Sequence, residues 1–324
     1  MDPQDPTIRW LLEPRDPAIR YVTLTDLLGE PSESRIVRTA RSRILQDPRV
    51  RTLLHEQRPD GGFGVHPYQK WTGAHWRLVS LVELGLPPRH AAGRKAAGQV
   101  LAWLLGSAHR SAIRTIEGRV RRCASQEGNA LAVCSRLGMA EDSRVETLAR
   151  SLLEWQWPDG GWNCDKIPSA DHSSFHETLA PTWGLLEYYR ATEDRDVLVG
   201  AERARELFLR HRMFRSERTG EVVNPAWLRF HYPPYWHYDV LQGLLILSRL
   251  GPLTEPRLRE ALRLVSEKRR ADGTWVVHDV YFRPPGRKGT GVEVVDWGRG
   301  GPSKLVTLNA LRVLRAAGKR PGVS

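Results

Sequence analysis

Chemistry is first suggested by three histidines and a cysteine in this chain of 324 residues. Cys164 lies in the run Asp159-Gly160-Gly161-Trp162-Asn163-Cys164-Asp165, followed closely by Asp171-His172-Ser173-Ser174-Phe175-His176-Glu177. A third run reads Pro234-Tyr235-Trp236-His237-Tyr238-Asp239. His176 and His237 each stand 14 residues before the end of an apolar helical period, at Arg190 and Gly251. They should therefore sit at one level on neighbouring helices. Thiol, imidazole and carboxylate donors together suit Zn²⁺. The spacing nominates Cys164, His172, His176 and His237 as ligands, with Asp165, Asp171 and Asp239 behind them. Without a metal, His237, Asp239 and His176 are of the types that serve general acid–base catalysis. The same imidazoles have a structural use, capping loops or stacking on Trp162, Trp183 and Trp236.

These residues need helices to hold them, and the chain supplies a repeat. Six apolar helical periods occupy 16–29, 71–85, 123–138, 173–190, 235–251 and 303–318, and five of them end in Gly. Glycine ends a helix in the left-handed conformation without a Cβ penalty. Five more polar, amphipathic stretches lie between them, at about 33–57, 88–105, 142–156, 196–212 and 255–270. The alternation predicts an all-α ring of about six inner and five to six outer helices. It spans 1–324 as one domain, with short flexible ends at about 1–7 and 319–324. The segment 272–295 reads as a long loop with room for a short hairpin.

Three of the loops between outer and inner stretches share a signature. Gln57-Arg58-Pro59-Asp60-Gly61-Gly62-Phe63 and Gln156-Trp157-Pro158-Asp159-Gly160-Gly161-Trp162 read Q-x-x-x-G-x-aromatic. Arg269-Arg270-Ala271-Asp272-Gly273-Thr274-Trp275 has Arg in place of Gln. These loops resemble the QW repeat of squalene–hopene cyclases and the corresponding loop of protein prenyltransferases. The chain as a whole resembles uncharacterised bacterial proteins of that repeat family. The resemblance implies an α/α toroid, with zinc ligated near the starts of neighbouring inner helices. It implies an enzyme acting on an isoprenoid, or another apolar ligand with an anionic head, in the central cavity. The acid motif D-x-D-D of the triterpene cyclases is missing, so that activity does not carry over. The prenyltransferase order of Asp and Cys is also not matched.

On this reading the inner-helix N-termini gather at one mouth, where dipoles and cations favour an anion. Lys70, Arg121, Arg122, Arg229 and Lys304 are the cations there. Trp71, His75, Trp76, Phe175, Trp183, Tyr235, Trp236 and Lys304 are the ligand-binding candidates. The aromatics have an equally ordinary use as core.

Composition narrows the remaining classes. The net charge is +12. It permits a peripheral anionic surface as partner, but no DNA- or RNA-reading motif accompanies it. The glycine-rich segment 286–301 lacks the strand–GKS–helix context of a phosphate loop. No apolar run reaches the length of a membrane span. Three cysteines make no disulfide framework, and with no signal peptide the expected location is cytoplasmic. The alternative to an enzyme is a non-catalytic scaffold for a protein or anionic partner.

Overall fold

Residues 2–318 are described by the computed structural model. The chain runs through α1 (Pro6–Leu11), α2 (Pro17–Val22, prolonged by a π-helical turn at Thr23–Leu28), α3 (Arg35–Ser42) and α4 (Pro48–Leu54). It continues through α5 (Ala74–Glu83), α6 (Ala91–Leu104), α7 (Ser107–Ser111), β1 (Arg114–Ile116) and β2 (Arg119–Arg121). Then come α8 (Ser125–Arg136), α9 (Ser143–Trp155), α10 (Phe175–Thr192) and α11 (Arg195–Arg210). The last three helices are α12 (Val240–Leu250), α13 (Arg259–Glu267) and α14 (Lys304–Ala316).

The fold is an all-α toroid. The apolar periods become the inner helices α2, α5, α8, α10, α12 and α14, which are buried nearly all round. The amphipathic stretches become outer helices, α3 with α4, α6, α9, α11 and α13. Each of these buries one stripe, such as Val145, Leu148, Ala149 and Leu152 of α9. The ring closes where α14 packs on α2 and its π-helical turn. Lys304 Nζ meets Glu13 and Asp16 at 2.7 and 2.6 Å, and Arg312 pairs with Asp26. Pro6 and Thr7, expected in a flexible end, belong to α1, which Asp5 caps. Residues 1 and 319–324 lie outside the described residues.

The three signature loops do the same mechanical work. Gly61, Gly160 and Gly273 adopt φ of 92°, 105° and 83°, a conformation open to glycine. Each abuts the next outer helix: Gly61 against Lys95 of α6, Gly160 against Arg203 of α11, Gly273 against Thr7 of α1. By this equivalence α1 fills the sixth outer place. Gln57 and Gln156 each donate to the loop glycine carbonyl and to a carbonyl of that next helix, at 2.7–3.0 Å. Arg269 Nε reaches the Gly273 carbonyl in their stead. Trp162 and Trp275 are buried and donate to Leu152 and Val265 of the preceding outer helix. Their own amides donate to Thr178 and Thr307, the fourth residues of α10 and α14.

Two features differ from the sequence reading. The hairpin lies at β1–β2 rather than in 272–295. There, the long loop is instead pinned by single bridges, His231 to Asp279, Val276 to Pro302 and Arg283 to Val292. It folds inward over the mouth of the ring. Trp71 donates its amide to Val292 O and its indole to Tyr281 O, and Tyr235 Oη bonds to the buried Glu293.

Candidate functional site

The aromatic residues at the starts of the inner helices crowd this end of the ring. Trp71 stacks on Tyr235 at 4.5 Å, and Trp76 meets both edge-on. Between Glu83, Trp183, Tyr235 and Arg249 the inner helices leave a narrow pocket whose water-accessible space is about 20 Å³. The central cavity expected from the sequence is therefore narrowed at this end. Other candidates serve packing. Phe175 sits among Phe208, Trp227 and Tyr238. His75 is buried beside Trp76 and Trp103, and burial lowers its pKa to about 3. Lys304, placed by the sequence at an anion-binding mouth, is held by Glu13 and Asp16 instead. Arg121 is bonded to Ala170 O, Arg122 to Glu127 and Arg229 to Asp279. Among the described residues Lys70 makes no ion pair; its ammonium lies over Trp71 and Trp236 at 5.5 and 4.8 Å.

That ammonium borders a cleft of about 540 Å³ on the rim, walled by Tyr68, Trp71, Trp236, His237 and Tyr281. His237 is sandwiched between Trp236 and Tyr281, with ring centroids 3.9 and 3.8 Å away. Burial, then the neighbouring His231, His176 and Lys70, lower its pKa to about 2. So low a value makes it a neutral hydrogen-bonding ring rather than a proton carrier at ordinary pH. Its Nδ1 and the Trp236 Nε1 are buried without a protein partner. Asp239 does not pair with His237. It caps α12 through Gln242 N, accepts from His231 N, and lies 2.7 Å from His231 Nδ1.

The proposed ligand set separates. His172 is exposed beside Asp171. His176 accepts the Tyr238 amide on Nδ1, with its ring 6.5 Å from that of His237. Cys164 joins other partners. Arg121 bridges to Asn163, and the Arg122 amide donates to Asn163 O, so Cys123 is laid beside Cys164. Glu177, the third residue of α10, reaches across to the next inner helix and accepts the Ser125 amide at the start of α8. The ligand atoms of Cys123, Cys164 and Glu177 then all lie within 4.8 Å of one another. Cys164 Sγ stands 3.7 Å from Glu177 Oε1. The hydrogen bond from Cys164 holds the Cys123 thiol below its ordinary pKa, and the same bond with burial pushes Cys164 up. Burial raises Glu177.

This cluster adjoins the cleft through two side chains. Tyr68 lines the cleft and lies near Gln126, Glu177 and Cys123. His176, next to Glu177, packs edge-on against Trp236 at 5.6 Å. Spacing alone does not find the cluster: Cys123 stands far from Cys164 in the chain, and nothing in the first turn of α10 singles out Glu177.

No protein-family model matches the chain, and no curated protein does. Among solved structures it is similar to a selenomethionine derivative of a GH76 alpha-mannanase from Bacteroides thetaiotaomicron. The two are 15% identical, with 77% of this chain and 69% of that chain covered and a TM-score of 0.41. The resemblance to squalene–hopene cyclases and protein prenyltransferases, with its uncharacterised bacterial branch, is corrected here: no family model or curated protein of that kind matches, and the solved structure to which the chain is similar is a glycoside hydrolase. The isoprenoid-directed function falls with it, as does the scaffold offered beside it. The physical reason lies in the loops. Their bonds run to their own helices and the next outer helix, so the signature reports a ring and says nothing of a substrate. Among the described residues no helix is long and apolar enough to cross a membrane.

Proposed function

We propose that this toroid is a zinc-dependent enzyme. Its metal is held by Cys123, Cys164 and Glu177, and its substrate rests in the adjoining aromatic cleft. One observation carries the reading: two thiols and a carboxylate, from three separate parts of the chain, converge within 4.8 Å. Two sulfurs and one oxygen are a donor set suited to Zn²⁺, and three protein ligands leave a fourth position open for water or substrate. A metal there supplies a water-derived nucleophile near neutral pH.

The chain's own residues do the rest. Glu177 is fixed by the Ser125 amide, which orients its free oxygen toward Cys164. Trp71, Trp236 and Tyr281 line the cleft and suit a ring-bearing molecule. All three cysteines are free thiols, which suits a reducing, cytoplasmic setting.

The test is metal analysis of protein purified without chelators. We expect about one equivalent of zinc per chain. Replacement by Co²⁺ should give sulfur-to-cobalt charge-transfer absorption. Cys164→Ser and Glu177→Gln should each weaken retention about tenfold or more, whereas His172→Ala should leave it unchanged. Metal-free protein, two thiols lost to a Cys123–Cys164 disulfide, or zinc indifferent to Cys164→Ser would each defeat the reading.

A further inference from the structure

The opposite end of the ring carries a second concavity. A basin of about 750 Å³ opens among the C-terminal ends of the inner helices. Five arginines converge on it: Arg136 of α8, Arg190 of α10, Arg249 of α12, and Arg312 and Arg315 of α14. Three carboxylates answer them. Glu83 pairs with Arg136 and Arg249, Glu187 with Arg190 and Arg249, and Asp26 with Arg312. Two positive charges are left over. The main-chain carbonyls of the helix ends absorb part of this: Arg190 donates to Arg249 O and Arg315 to Asp26 O. The remaining repulsion is visible in Arg312. Burial first, and then repulsion from Arg249 and Arg136, push it below the ordinary guanidinium pKa.

The arrangement is not that of a solvated surface patch. Arg249 and Arg312 are held almost out of water at the floor, with side chains 7% and 14% exposed, while Arg190 and Arg315 stand exposed at the lip. Buried guanidiniums below and exposed ones above favour an oxyanion that several forks can share. The volume is that of a small-molecule site.

We propose that this basin binds a phosphate-bearing ligand, whose dianionic group takes up the charge that Glu83, Glu187 and Asp26 leave uncompensated. A soluble phosphate ester and a lipid headgroup both carry such a group, and the two arms of the test tell them apart. The site is independent of the zinc reading, since no residue is shared.

Two arms test the proposal on the full chain. In the first, inorganic pyrophosphate is titrated calorimetrically at low and at raised salt. In the second, the protein is sedimented with vesicles of phosphatidylcholine containing phosphatidic acid, and with phosphatidylcholine alone. We expect one equivalent of pyrophosphate bound, weakening as salt rises, or co-sedimentation only with the acidic vesicles. The first result identifies a soluble ligand and the second a headgroup. The double variant Arg190→Gln/Arg315→Gln removes only exposed side chains and should weaken the binding seen at least tenfold. Arg144→Gln, on the outer wall, removes charge elsewhere and should change it less than twofold. A rise in Tm of the wild type with pyrophosphate gives a second readout. Absence of binding in both arms, or equal losses in the double variant and in Arg144→Gln, overturns the proposal.

Discussion

Gly128 of α8 and Gly184 of α10 face each other where these two inner helices pack. A β-carbon on Gly184 would lie 2.4 Å from the Gly128 carbonyl oxygen, and one on Gly128 would lie 2.3 Å from Pro181 N. The obstacles are backbone atoms, so neither helix can yield by a side-chain rotation. Gly128→Ala or Gly184→Ala should therefore destabilise the protein by about 1–3 kcal/mol or more, read as a lower urea midpoint. Because Glu177 of α10 caps the start of α8 beside Cys123, either variant should also weaken the metal binding proposed for this cluster.

The signature loops make a paired prediction. Gln156 satisfies the carbonyls of Gly160 and Gly200 with one amide group. Gln156→Ala should cost about 1–3 kcal/mol, since two partly buried acceptors lose their donor. Arg269→Gln places a glutamine where the other two loops have one, facing the same glycine carbonyl. It should shift stability by less than about 0.5 kcal/mol. Denaturant unfolding of the two variants side by side separates a loop device from a general surface effect.

Acid stability should depend on Glu83. Burial opposes its ionisation, but Arg249, Arg136 and Arg312 outweigh burial and lower its pKa to about 2 from 4.5. The folded state thus binds this proton less readily than the unfolded chain. The stabilisation is complete above about pH 4.5 and is lost as pH falls through about 2. The shift corresponds to about 3 kcal/mol. In Glu83→Gln this part of the acid profile should disappear, with a lower plateau near neutrality.

His75 acts in a higher window and through a different cause. Burial alone lowers its pKa to about 3 from 6.5. Below pH 6.5 the unfolded chain takes up a proton that the native imidazole refuses, so stability falls as pH drops toward 3. The slope contributed is about 1.4 kcal/mol per pH unit at most. His75→Gln should flatten the profile by that amount between about pH 6 and 4.5, measured from urea midpoints.

The ring was legible in the sequence because its cause is local. Apolar periods such as Leu305-Val306-Thr307-Leu308 and stops such as Gly138 act within one turn, and repetition at each unit multiplied the signal. Asp-Gly loops were equally plain, since only glycine accommodates φ near 90°. The site was not legible, because its geometry is made by partners far apart in the chain. Nothing near Cys123 announces that Asn163 will bridge to Arg121. Nothing near Glu177 announces that it will cap α8 at Ser125, 52 residues back. His176 lies in the first turn of α10, but His237 falls in the loop before α12, and the tilt of each ring is decided by Tyr238 N and by the Trp236–Tyr281 sandwich. Lys304 was misread for the same reason: its carboxylate partners sit almost a full chain length away, at Glu13 and Asp16.

The cluster of Glu293, Tyr235 and Trp71 has a bearing on size. A reaction chamber inside a ring admits only what fits through its opening and sets an upper limit on the guest. A groove on the rim sets no such limit: if the proposed metal chemistry is served by the cleft beside Lys70, only the portion being transformed has to enter it.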